Sequence, residues 1–489
     1  MLARALTHAL VGLEPRRVDV EAHIREGVPG LAIVGLADRA CQEARERVRS
    51  GITAAELEFP SARITVNLAP AELRKEGSGF DLPIALAVLA ASGQVPRSAL
   101  EGTAAVGELA LDGRLRRVGG VLAVAEGARR AGVARLLCPA ESAQEAALAG
   151  VAAVPVRHLA EAVAYLRGEI ELEPRAAEEP SQNGHAAAGG PDLAEVRGQE
   201  RARRALELAA AGAHNLLLAG PPGTGKTMLA RRLPGILPPL DTPAALEVTR
   251  IHSVAGLVGR NRPLVSTPPF RAPHHSASTA AIVGGGPSLR PGEASLAHRG
   301  VLLLDELAEF RRDALEALRQ PLEDGFVCVA RAAGRVVFPA RFQLVGTMNL
   351  CPCGGRGDPA APCSCSAQRL AHYRDKLSRA LLDRFDLVVA MPRIRGVELA
   401  AASGEPSEPV RARVVAARER LATHPPQRDR EADDLLRNAT DRLHLSGRGH
   451  ARVGRVAGTI AALAGSKTVR AEHVAEALAY RSPDELRDV

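Results

Sequence analysis

A glycine-rich octapeptide constrains the fold of this chain more than any other stretch. Its residues are Gly220, Pro221, Pro222, Gly223, Thr224, Gly225, Lys226 and Thr227. The apolar run Leu216–Ala219 precedes it, and a helix-compatible segment begins at Met228. Strand, glycine-rich turn and helix start are the order of a P-loop, whose backbone N–H groups wrap nucleotide phosphates. In such a loop Lys226 reaches the β- and γ-phosphates, and the Thr227 hydroxyl ligates Mg²⁺.

Two further apolar runs end in polar side chains that complete a site for ATP hydrolysis. The run Val301–Leu304 leads into Asp305 and Glu306. Asp305 is suited to the Mg²⁺ shell, and Glu306 is suited to activating the attacking water. A third run, residues 342–347, leads to Asn349, which is placed to orient that water. We therefore predict that ATP and Mg²⁺ bind here and that ATP is hydrolysed.

Length and composition limit the remaining possibilities. A chain of 489 residues is long enough for about two or three domains, each with its own core. The net charge of +7 favours an acidic partner such as nucleic acid, although the preference for arginine over lysine also fits a bias in coding. No run of about 20 apolar residues occurs, so we expect no membrane partner and a cytoplasmic protein.

Composition along the chain predicts four segments. Residues 1–167 alternate strand-like and helix-like runs without a nucleotide motif, which indicates an α+β domain. Residues 168–192 are polar and punctuated by Pro and Gly, as expected for a flexible linker. The ATPase domain then spans 193–400, and 401–489 form a C-terminal helical lid. Thr468 is the predicted N-cap of the last lid helix.

A predicted hairpin carries two arginines at its turn. Two alternating runs within residues 325–339 meet at Ala332-Ala333-Gly334, and Arg331 and Arg335 flank this turn. Such a tip is suited to gripping a phosphate backbone, which requires charge but no reading of bases. The alternative is a solvated turn that happens to carry two arginines.

A long Gly- and Pro-rich insertion separates the P-loop from the acidic strand. It includes residues 269–278 and 284–298, and we predict a loop that projects towards a pore. His274 and His275 lie within it and could ligate a metal, but adjacent loop histidines more often pack or form hydrogen bonds.

Four cysteines cluster on two short knuckles. They are Cys351, Cys353, Cys363 and Cys365. Four thiolates joined by a Gly/Pro loop fit a closed tetrahedral Zn²⁺ site with a structural role. Redox or disulfide chemistry and four free thiols are the alternatives.

Arginines near the C-terminal end of the ATPase segment are further candidates. Arg384 follows an apolar turn, where ring ATPases place an arginine that reaches the γ-phosphate held by the neighbouring subunit. The alternative is an intramolecular ion pair with Asp383 or Asp386. Arg448, Arg452 and Arg455 lie on a predicted lid helix that could close over the nucleotide.

Two segments of the N-terminal domain resemble the Lon-protease-like, ribosomal-S5-like fold. They are residues 75–82 and 107–120. The resemblance places Gly79 at the position of the catalytic serine and Leu122 at that of the catalytic lysine. Neither side chain supports the chemistry, and Ser78 lies one residue away from the expected position. We therefore expect a non-proteolytic domain with a structural, oligomerising or DNA-contacting role.

The whole chain resembles the ComM/YifB-type magnesium-chelatase-like AAA+ ATPases. The motifs Phe-Arg-Ala-Pro-His-His-Ser at 270–276 and Arg-Pro-Gly-Glu-Ala-Ser-Leu-Ala-His at 290–298 carry this resemblance, with the P-loop and the cysteine cluster. It implies an AAA+ core of the helix-2-insert type. It also implies roles for several side chains: Walker A for Lys226 and Thr227, Walker B for Asp305 and Glu306, sensor 1 for Asn349, the arginine finger for Arg384, and sensor 2 for Arg455.

The same resemblance implies a function. It suggests a homo-hexameric helicase or translocase that acts on branched or single-stranded DNA and promotes branch migration in homologous recombination or natural transformation. Two alternatives remain open at this point. One is a magnesium-chelatase-like motor subunit, and the other is a protein remodeller or ATP-dependent protease.

Overall fold

The computed structural model describes residues 1–177, 190–259, 262–286, 289–331, 334–396, 398 and 403–481. None of the helices in these residues is both long and apolar enough to cross a membrane. The elements form an N-terminal sheet with its helices, a parallel sheet around the P-loop, and a C-terminal group of helices. The predicted mixed α/β fold is thereby confirmed.

The N-terminal sheet contains seven strands in the order β3-β4-β2-β1-β5-β8-β9, and β6 and β7 pair separately. The bounds are β1 Leu2–Val11, β2 Glu14–Arg25, β3 Gly30–Val34, β4 Arg63–Ala69, β5 Thr103–Ala105, β6 Glu108–Leu109, β7 Leu115–Arg116, β8 Arg135–Pro139 and β9 Ala152–Val156. The helices are α1 Arg39–Ala54, α2 Asp81–Ala91, α3 Val121–Arg130, α4 Ala143–Ala147 and α5 Leu159–Arg167.

Alternation along the strands builds a core on each face of this sheet. In β8, Leu136 packs in the cluster around α3 and α4, whereas Leu137 packs in the cluster around α1 and α2. Neighbouring residues of a strand point to opposite faces, so both faces are covered by helices here. Helix α2 is buried along its whole length, which explains why its sequence is apolar on every side.

The P-loop region is built on a five-stranded sheet of parallel strands in the order β11-β14-β17-β10-β18. The strands of this region are β10 Leu216–Ala219, β11 Phe270–Arg271, β12 Gly284–Gly285, β13 Arg290–Pro291, β14 Val301–Leu304, β15 Phe326–Arg331, β16 Gly334–Pro339, β17 Gln343–Met348 and β18 Leu387–Ala390. The helices are α6 Glu200–Gly212, α7 Lys226–Ala230, α8 Leu233–Ile236, α9 Thr242–Val254, α10 Thr279–Val283, α11 Glu293–Leu296, α12 Arg312–Ala317, α13 Arg319–Asp324, α14 Ala367–Asp375 and α15 Arg379–Leu382.

The central strands of this sheet are buried from end to end. Every residue of β10, β14 and β17 is buried, as expected for a parallel sheet with both faces covered. Strand β10 lies between β17 and β18, and β17 also pairs with β14. The carboxyl ends of β10, β14 and β17 therefore meet at one edge, and the predicted polar residues follow these ends.

The C-terminal helices pack against α6 and α8 in one shared core. They are α16 Ser407–Thr423, α17 Arg430–Arg442, α18 Gly447–Leu463 and α19 Ala471–Ala479, and a two-residue ladder joins β19 Gln427–Arg428 to β20 Thr468–Val469. The prediction that Thr468 caps the last helix is wrong. Thr468 pairs with Gln427 in the ladder, and the helix begins only after Arg470.

The predicted linker, residues 168–192, is partly ordered against its neighbours. The backbone N–H of Arg175 donates to the Ala153 carbonyl at 2.8 Å, so its first part lies along β9. At its end, the Asp192 carboxylate accepts hydrogen bonds from the backbone N–H groups of Ala194 and Ser407. Residues 178–189 of the predicted linker lie outside the described residues.

The N-terminal sheet and the P-loop region are joined by a buried contact. The Gly120 N–H donates to the Ser253 carbonyl at 2.9 Å, and the Ser253 hydroxyl donates to the Glu145 carboxylate at 2.5 Å. Arg117 also donates to Glu145, at 2.7 Å. A second contact lies at the β1–β2 turn, where Leu13 is buried in the core that contains Val336 of the predicted hairpin.

Candidate nucleotide site

Glycines give the P-loop its shape in two different ways. Gly223 and Gly225 adopt φ values of 78° and 87°, which favour glycine, and a Cβ on either would meet nothing within 4 Å. Position 220 requires glycine because there is no room for a side chain: a Cβ there would lie 2.2 Å from the Met391 carbonyl oxygen. The loop therefore presents an open concave side towards solvent and a packed side towards β18. A concave loop of this kind has room for phosphate oxygens.

The Lys226 ammonium lies between the P-loop and Asn349, the residue that follows the neighbouring strand β17. It donates to the carbonyls of Gly220 and Pro221, both at 2.8 Å, and to Asn349 Oδ1 at 3.1 Å. Burial lowers its pKa, and the nearby carboxylates of Asp305 and Glu306 act in the opposite direction. All three acceptors are neutral, so phosphate oxygens can replace them with a stronger, charge-assisted interaction.

Thr227 and Asp305 meet at the start of α7. The Thr227 hydroxyl donates to Asp305 Oδ1 at 2.7 Å. A hydroxyl and a carboxylate oxygen are hard ligands of the kind that Mg²⁺ prefers, so the donor set fits this ion. The residues present therefore fit the predicted Mg²⁺-nucleotide, with Lys226 on the phosphate side and Asp305 on the side of β14.

Thr347, which sequence reasoning missed, joins the two acidic residues. Its hydroxyl donates to Asp305 Oδ1 at 2.6 Å and accepts from the backbone N–H of Glu306 at 3.0 Å. Glu306 itself has φ of 55°, a left-handed conformation that is uncommon outside glycine. A polar residue at the end of an otherwise apolar strand, two positions before Asn349, was the available signal.

Arg384 and Arg455 lie at the opposite edge of the sheet from their own P-loop. Asn215, the residue before β10, donates through its side chain to the Arg384 carbonyl at 2.9 Å. Arg455 forms an ion pair with Asp386 at 3.2 Å, and Asp386 accepts from the Asn215 N–H at 3.0 Å. The P-loop follows the opposite end of β10. A strand rises by roughly 3.3 Å per residue, so the length of β10 separates both arginines from the P-loop of the same chain by more than an arginine side chain can span.

The ion pair that Arg384 forms is not the one considered as the alternative to an arginine finger, and the lid arginines do not lie over the P-loop. Arg384 pairs with Glu323 rather than with Asp383 or Asp386, and Arg448 shares that carboxylate at 3.0 Å. Arg452 and Arg455 face Asp386 instead of closing over the P-loop of the same chain. The sequence could not reveal this, because it does not show which end of a strand a lid helix packs against.

A cavity of about 710 Å³ opens between these groups. Six arginines line it: Arg299, Arg341, Arg384, Arg418, Arg452 and Arg455. Arg384 Nε and Arg452 Nη1 are buried there without a hydrogen-bond partner within the described part of the chain. Four carboxylates also line the cavity: Asp241, Glu323, Asp324 and Asp386. Arg452 Nη1 lies 3.7 Å from Asp383 Oδ1, so the positive charge of the arginines is partly balanced within the chain.

The four clustered cysteines come together as predicted. Their sulfur atoms lie within 4.8 Å of one another, with separations of 3.3 Å for Cys351–Cys353 and 3.6 Å for Cys353–Cys363. Four sulfurs at 2.3 Å from a tetrahedral ion would be about 3.8 Å apart, so the set fits Zn²⁺. Backbone N–H groups of Gly355 and Ser364 lower the pKa of Cys353 to about 5, whereas desolvation raises the pKa of Cys351 and of Cys365. Thiolates are the form that binds such metals.

The remaining candidates are resolved by their contacts. The rings of His274 and His275 lie 4.0 Å apart, and they belong to no metal-ligand cluster in the described ranges. In the N-terminal domain the Ser78 hydroxyl donates to Glu108, and Leu122 is fully buried among apolar side chains. No lysine approaches Ser78 in the described hydrogen bonds, so the pairing that a Ser-Lys peptidase needs is not formed.

The predicted hairpin is present. Strands β15 and β16 pair antiparallel from Phe326–Pro339 to Arg331–Gly334, and Arg335 Nε donates to Cys328 Sγ at 3.0 Å. Residues 332 and 333 of the predicted turn lie outside the described residues. Arg335 is exposed on this ribbon.

Comparisons with known proteins show the family of this chain. Three family models match: one described as magnesium chelatase, subunit ChlI, at residues 192–399, one as subunit ChlI of Mg-chelatase at 20–142, and one as the ChlI C-terminal part at 404–481. An uncharacterized protein of Mycobacterium tuberculosis is 47% identical, over 98% of both chains. The competence protein ComM of Haemophilus influenzae is 42% identical and the uncharacterized protein YifB of Escherichia coli 41%, each over 98% of this chain and 97% of the relative.

The chain belongs to the ComM/YifB-type magnesium-chelatase-like family. This AAA+ family implies ATP and Mg²⁺ as ligands, and it implies ATPase activity. The family match extends over the N-terminal sheet and the C-terminal helices as well as the P-loop region.

Proposed function

We propose that this chain is an ATP-driven DNA motor, a homo-hexameric helicase or translocase that promotes branch migration in homologous recombination or natural transformation. One observation carries the proposal: each chain holds half of a hydrolytic site at each edge of its parallel sheet. Lys226, Thr227, Asp305 and Asn349 meet at one edge, while Arg384 and Arg455 lie at the other. Two such chains complete a site only by facing each other head to tail, and repeated head-to-tail contacts form a ring where the rotation between neighbours closes.

Within the completed site, each side chain has a distinct part. Lys226 binds the transferred phosphoryl group, and Thr227 and Asp305 would hold Mg²⁺, which when bound neutralises charge on the phosphates. Glu306 takes the proton of the attacking water. Asn349 orients that water and accepts a hydrogen bond from the Lys226 ammonium. Arg384 of the adjacent chain stabilises the negative charge of the transition state in which the γ-phosphoryl group is transferred from ADP to water.

The domain assignments belong to the same proposal. We assign residues 193–400 to an AAA+ core of the helix-2-insert type and 401–489 to a helical lid that serves the neighbouring subunit. Residues 1–167 form a Lon-like, non-proteolytic scaffold. The four-cysteine cluster is assigned a structural Zn²⁺, supported by the short sulfur separations.

DNA binding is assigned to the β15–β16 hairpin. Its ribbon carries arginine at both ends of the turn, and the ComM relative is named as a competence protein. A hairpin of this kind offers two charges per subunit to a phosphate backbone. A ring would present them around a central pore, where a passing strand meets several copies.

We expect the double change Arg331→Ala with Arg335→Ala to weaken binding to a forked DNA by roughly tenfold at low salt, because each lost phosphate contact removes one released counterion. Fluorescence anisotropy at several salt concentrations measures this, and the slope of log Kd against log salt should fall. Arg437→Ala, an exposed arginine on α17, is the matched control and should bind as wild type. An unchanged salt slope in the double variant would remove the hairpin from the DNA contact.

The proposed function as a whole is tested by measuring ATP hydrolysis with and without DNA. We expect Holliday junctions or forks to stimulate the rate several-fold, and single-molecule or gel assays to show junction movement that stops without ATP. Hydrolysis that is indifferent to every DNA form would overturn the DNA-motor assignment while leaving the ATPase assignment intact.

A second candidate is a motor subunit that drives metal insertion into a tetrapyrrole. The description of the matching family models as a magnesium chelatase subunit favours it. Reconstitution with the other chelatase subunits decides between the two. Magnesium insertion that depends on this chain and on ATP would support the second candidate over the first.

A further inference from the structure

The four-cysteine cluster lies directly behind the P-loop. Strand β17 ends at Met348, Asn349 then binds the Lys226 ammonium, and Cys351 follows two residues later. The Gly220 N–H donates to the Met348 carbonyl at 3.1 Å, which fixes the start of the P-loop against the same strand end. Cys351 is fully buried at this junction. Residues 351–358, which contain the first two cysteines and are called the knuckle below, therefore follow directly from the strand that carries Asn349 into the nucleotide site.

The knuckle also touches the P-loop through space. A Cβ on Gly354 would lie 2.9 Å from Pro222 Cδ, and a Cβ on Gly357 would lie 3.9 Å from Pro221 Cγ. Both glycines have left-handed φ values, 80° and 78°, so the backbone itself forms the contact surface. At Gly354 the nearest neighbour is Pro222, whereas at Gly357 Leu350 Cδ1 lies nearer than Pro221, at 2.9 Å.

The contact bears on the residues that bind phosphate. The Pro221 carbonyl accepts from Lys226 Nζ at 2.8 Å and from the Thr224 hydroxyl at 3.0 Å. A displacement of Pro221 therefore moves the acceptor that aims the Lys226 ammonium. The knuckle supports the outer side of a loop whose inner side is the phosphate cradle.

An ion pair fixes the far side of the knuckle. Arg393 donates to the Asp358 carboxylate at 2.8 Å, and the Asp358 side chain is almost fully buried. Arg393 follows β18, whose exit also packs on the P-loop, since the Met391 carbonyl oxygen lies 2.2 Å from where a Cβ of Gly220 would be. The knuckle, the P-loop and this segment form one packed unit.

The segment that carries the four cysteines has no regular secondary structure of its own to stabilise it. Residues 351–365 contain no helix or strand among their described elements, and the loop is rich in Gly and Pro. Four ligands converging on one ion can fix such a segment, because a metal site supplies folding free energy that a small irregular loop cannot obtain from burial. Without the ion, the sulfur atoms of this segment are linked only by weak S–H···S contacts at 3.3 and 3.6 Å.

We propose that a Zn²⁺ ion bound by Cys351, Cys353, Cys363 and Cys365 braces the P-loop, so that nucleotide affinity depends on occupancy of the metal site. The inference rests on ATP binding at the P-loop and needs neither DNA nor a ring. Its failure can therefore be told apart from failure of the DNA-motor proposal.

The test uses the full-length protein and reversible removal of the metal. Zinc is removed under reducing conditions with a thiol-reactive mercurial and a chelator, followed by excess thiol, and zinc content is measured by mass spectrometry. We expect one zinc per chain before treatment. After removal, the Kd for a fluorescent ATP analogue should rise by about tenfold or more, because small misplacements of positioning groups carry large costs. One equivalent of Zn²⁺ should restore it.

Hydrogen exchange in the P-loop tells a direct effect of the metal from a remote one, because loss of a remote structural site would leave the exchange rate of the P-loop unchanged. Peptides that contain residues 216–232 should exchange faster in the metal-free protein, while peptides from β1 and β2 in the N-terminal sheet should not change. The double variant Cys353→Ser with Cys363→Ser should behave as the metal-free protein. Ser364→Ala, an exposed residue between two of the ligands, is the matched control and should keep both zinc and nucleotide affinity.

Three results would overturn the proposal. The first is a purified protein that binds nucleotide and holds no stoichiometric zinc. The second is an unchanged Kd, within about twofold, once the zinc is gone. The third is weakened nucleotide binding with no faster exchange in the P-loop, which would indicate general unfolding or an indirect effect. If the cysteine double variant does not fold, reversible removal from the wild-type protein still decides.

Discussion

Lys226→Ala should lower kcat for ATP hydrolysis by about 100-fold or more, because a preorganised donor to the developing charge is worth roughly 10²–10³ in rate. Its ammonium lies 3.1 Å from Asn349 Oδ1 and 2.8 Å from two P-loop carbonyl oxygens, so the variant removes the charge from the centre of the site. Steady-state phosphate release measures the effect, and a fluorescent ATP analogue should bind weakly or not at all. Lys467→Ala, an exposed lysine beside β20, is the matched control and should retain the wild-type rate.

Glu306→Gln separates binding from chemistry at the same site. The amide keeps the shape of the side chain but cannot take a proton, and a general base is worth roughly 10²–10⁴ in rate. We expect this variant to bind the ATP analogue as wild type and to hydrolyse ATP at least about 100-fold more slowly. A variant that binds normally and hydrolyses at the wild-type rate would show that another group activates the water.

Arg384→Ala should reduce hydrolysis by about 10³-fold while leaving the affinity of a single chain for nucleotide unchanged. The guanidinium lies at the edge of the sheet remote from its own P-loop and is held by Glu323 and by the Ala380 carbonyl. In the proposed ring it therefore acts on the nucleotide of the neighbouring chain. Glu323 also accepts from Arg448, so an incoming phosphate competes with one carboxylate for two arginines.

Mixing two inactive variants tests this shared site directly. Arg384→Ala keeps an intact P-loop and Glu306, whereas Glu306→Gln keeps an intact Arg384. In mixed assemblies some Arg384→Ala chains receive Arg384 from a Glu306→Gln neighbour, so hydrolysis should reappear in proportion to such pairs. Activity that never exceeds the sum of the two separate variants would contradict a site completed between chains.

Much of the nucleotide site was predictable because its parts are local in sequence. Strand, glycine turn and helix start occupy residues 216–230 without interruption, and both acidic residues follow their strand immediately. Convergence of Asn349 on Lys226 followed from the rule that the carboxyl ends of parallel strands share one edge. The cysteine cluster was predictable for the same reason, since its members lie within fifteen residues.

Other features depend on contacts between distant segments and could not be predicted. Thr468 has the composition of a helix cap, yet its backbone pairs with Gln427, about forty residues earlier. The sequence places Arg455 on a lid helix but does not reveal that Asp386 holds that helix beside the amino ends of the strands. The contact of Gly354 with Pro222 requires the full fold as well, because 131 residues separate them in the chain.

The buried contact at the β1–β2 turn links the hairpin to the N-terminal sheet. A Cβ on Gly12 would lie 2.1 Å from Val336 Cγ1, so the turn backbone rests directly on β16, beside buried Leu13. Together with the Ser253–Glu145 hydrogen bond, this attaches the N-terminal sheet at two places. The N-terminal sheet therefore bridges β16 and α9, and any displacement of the hairpin relative to α9 would have to break one of these two contacts or bend the sheet between them.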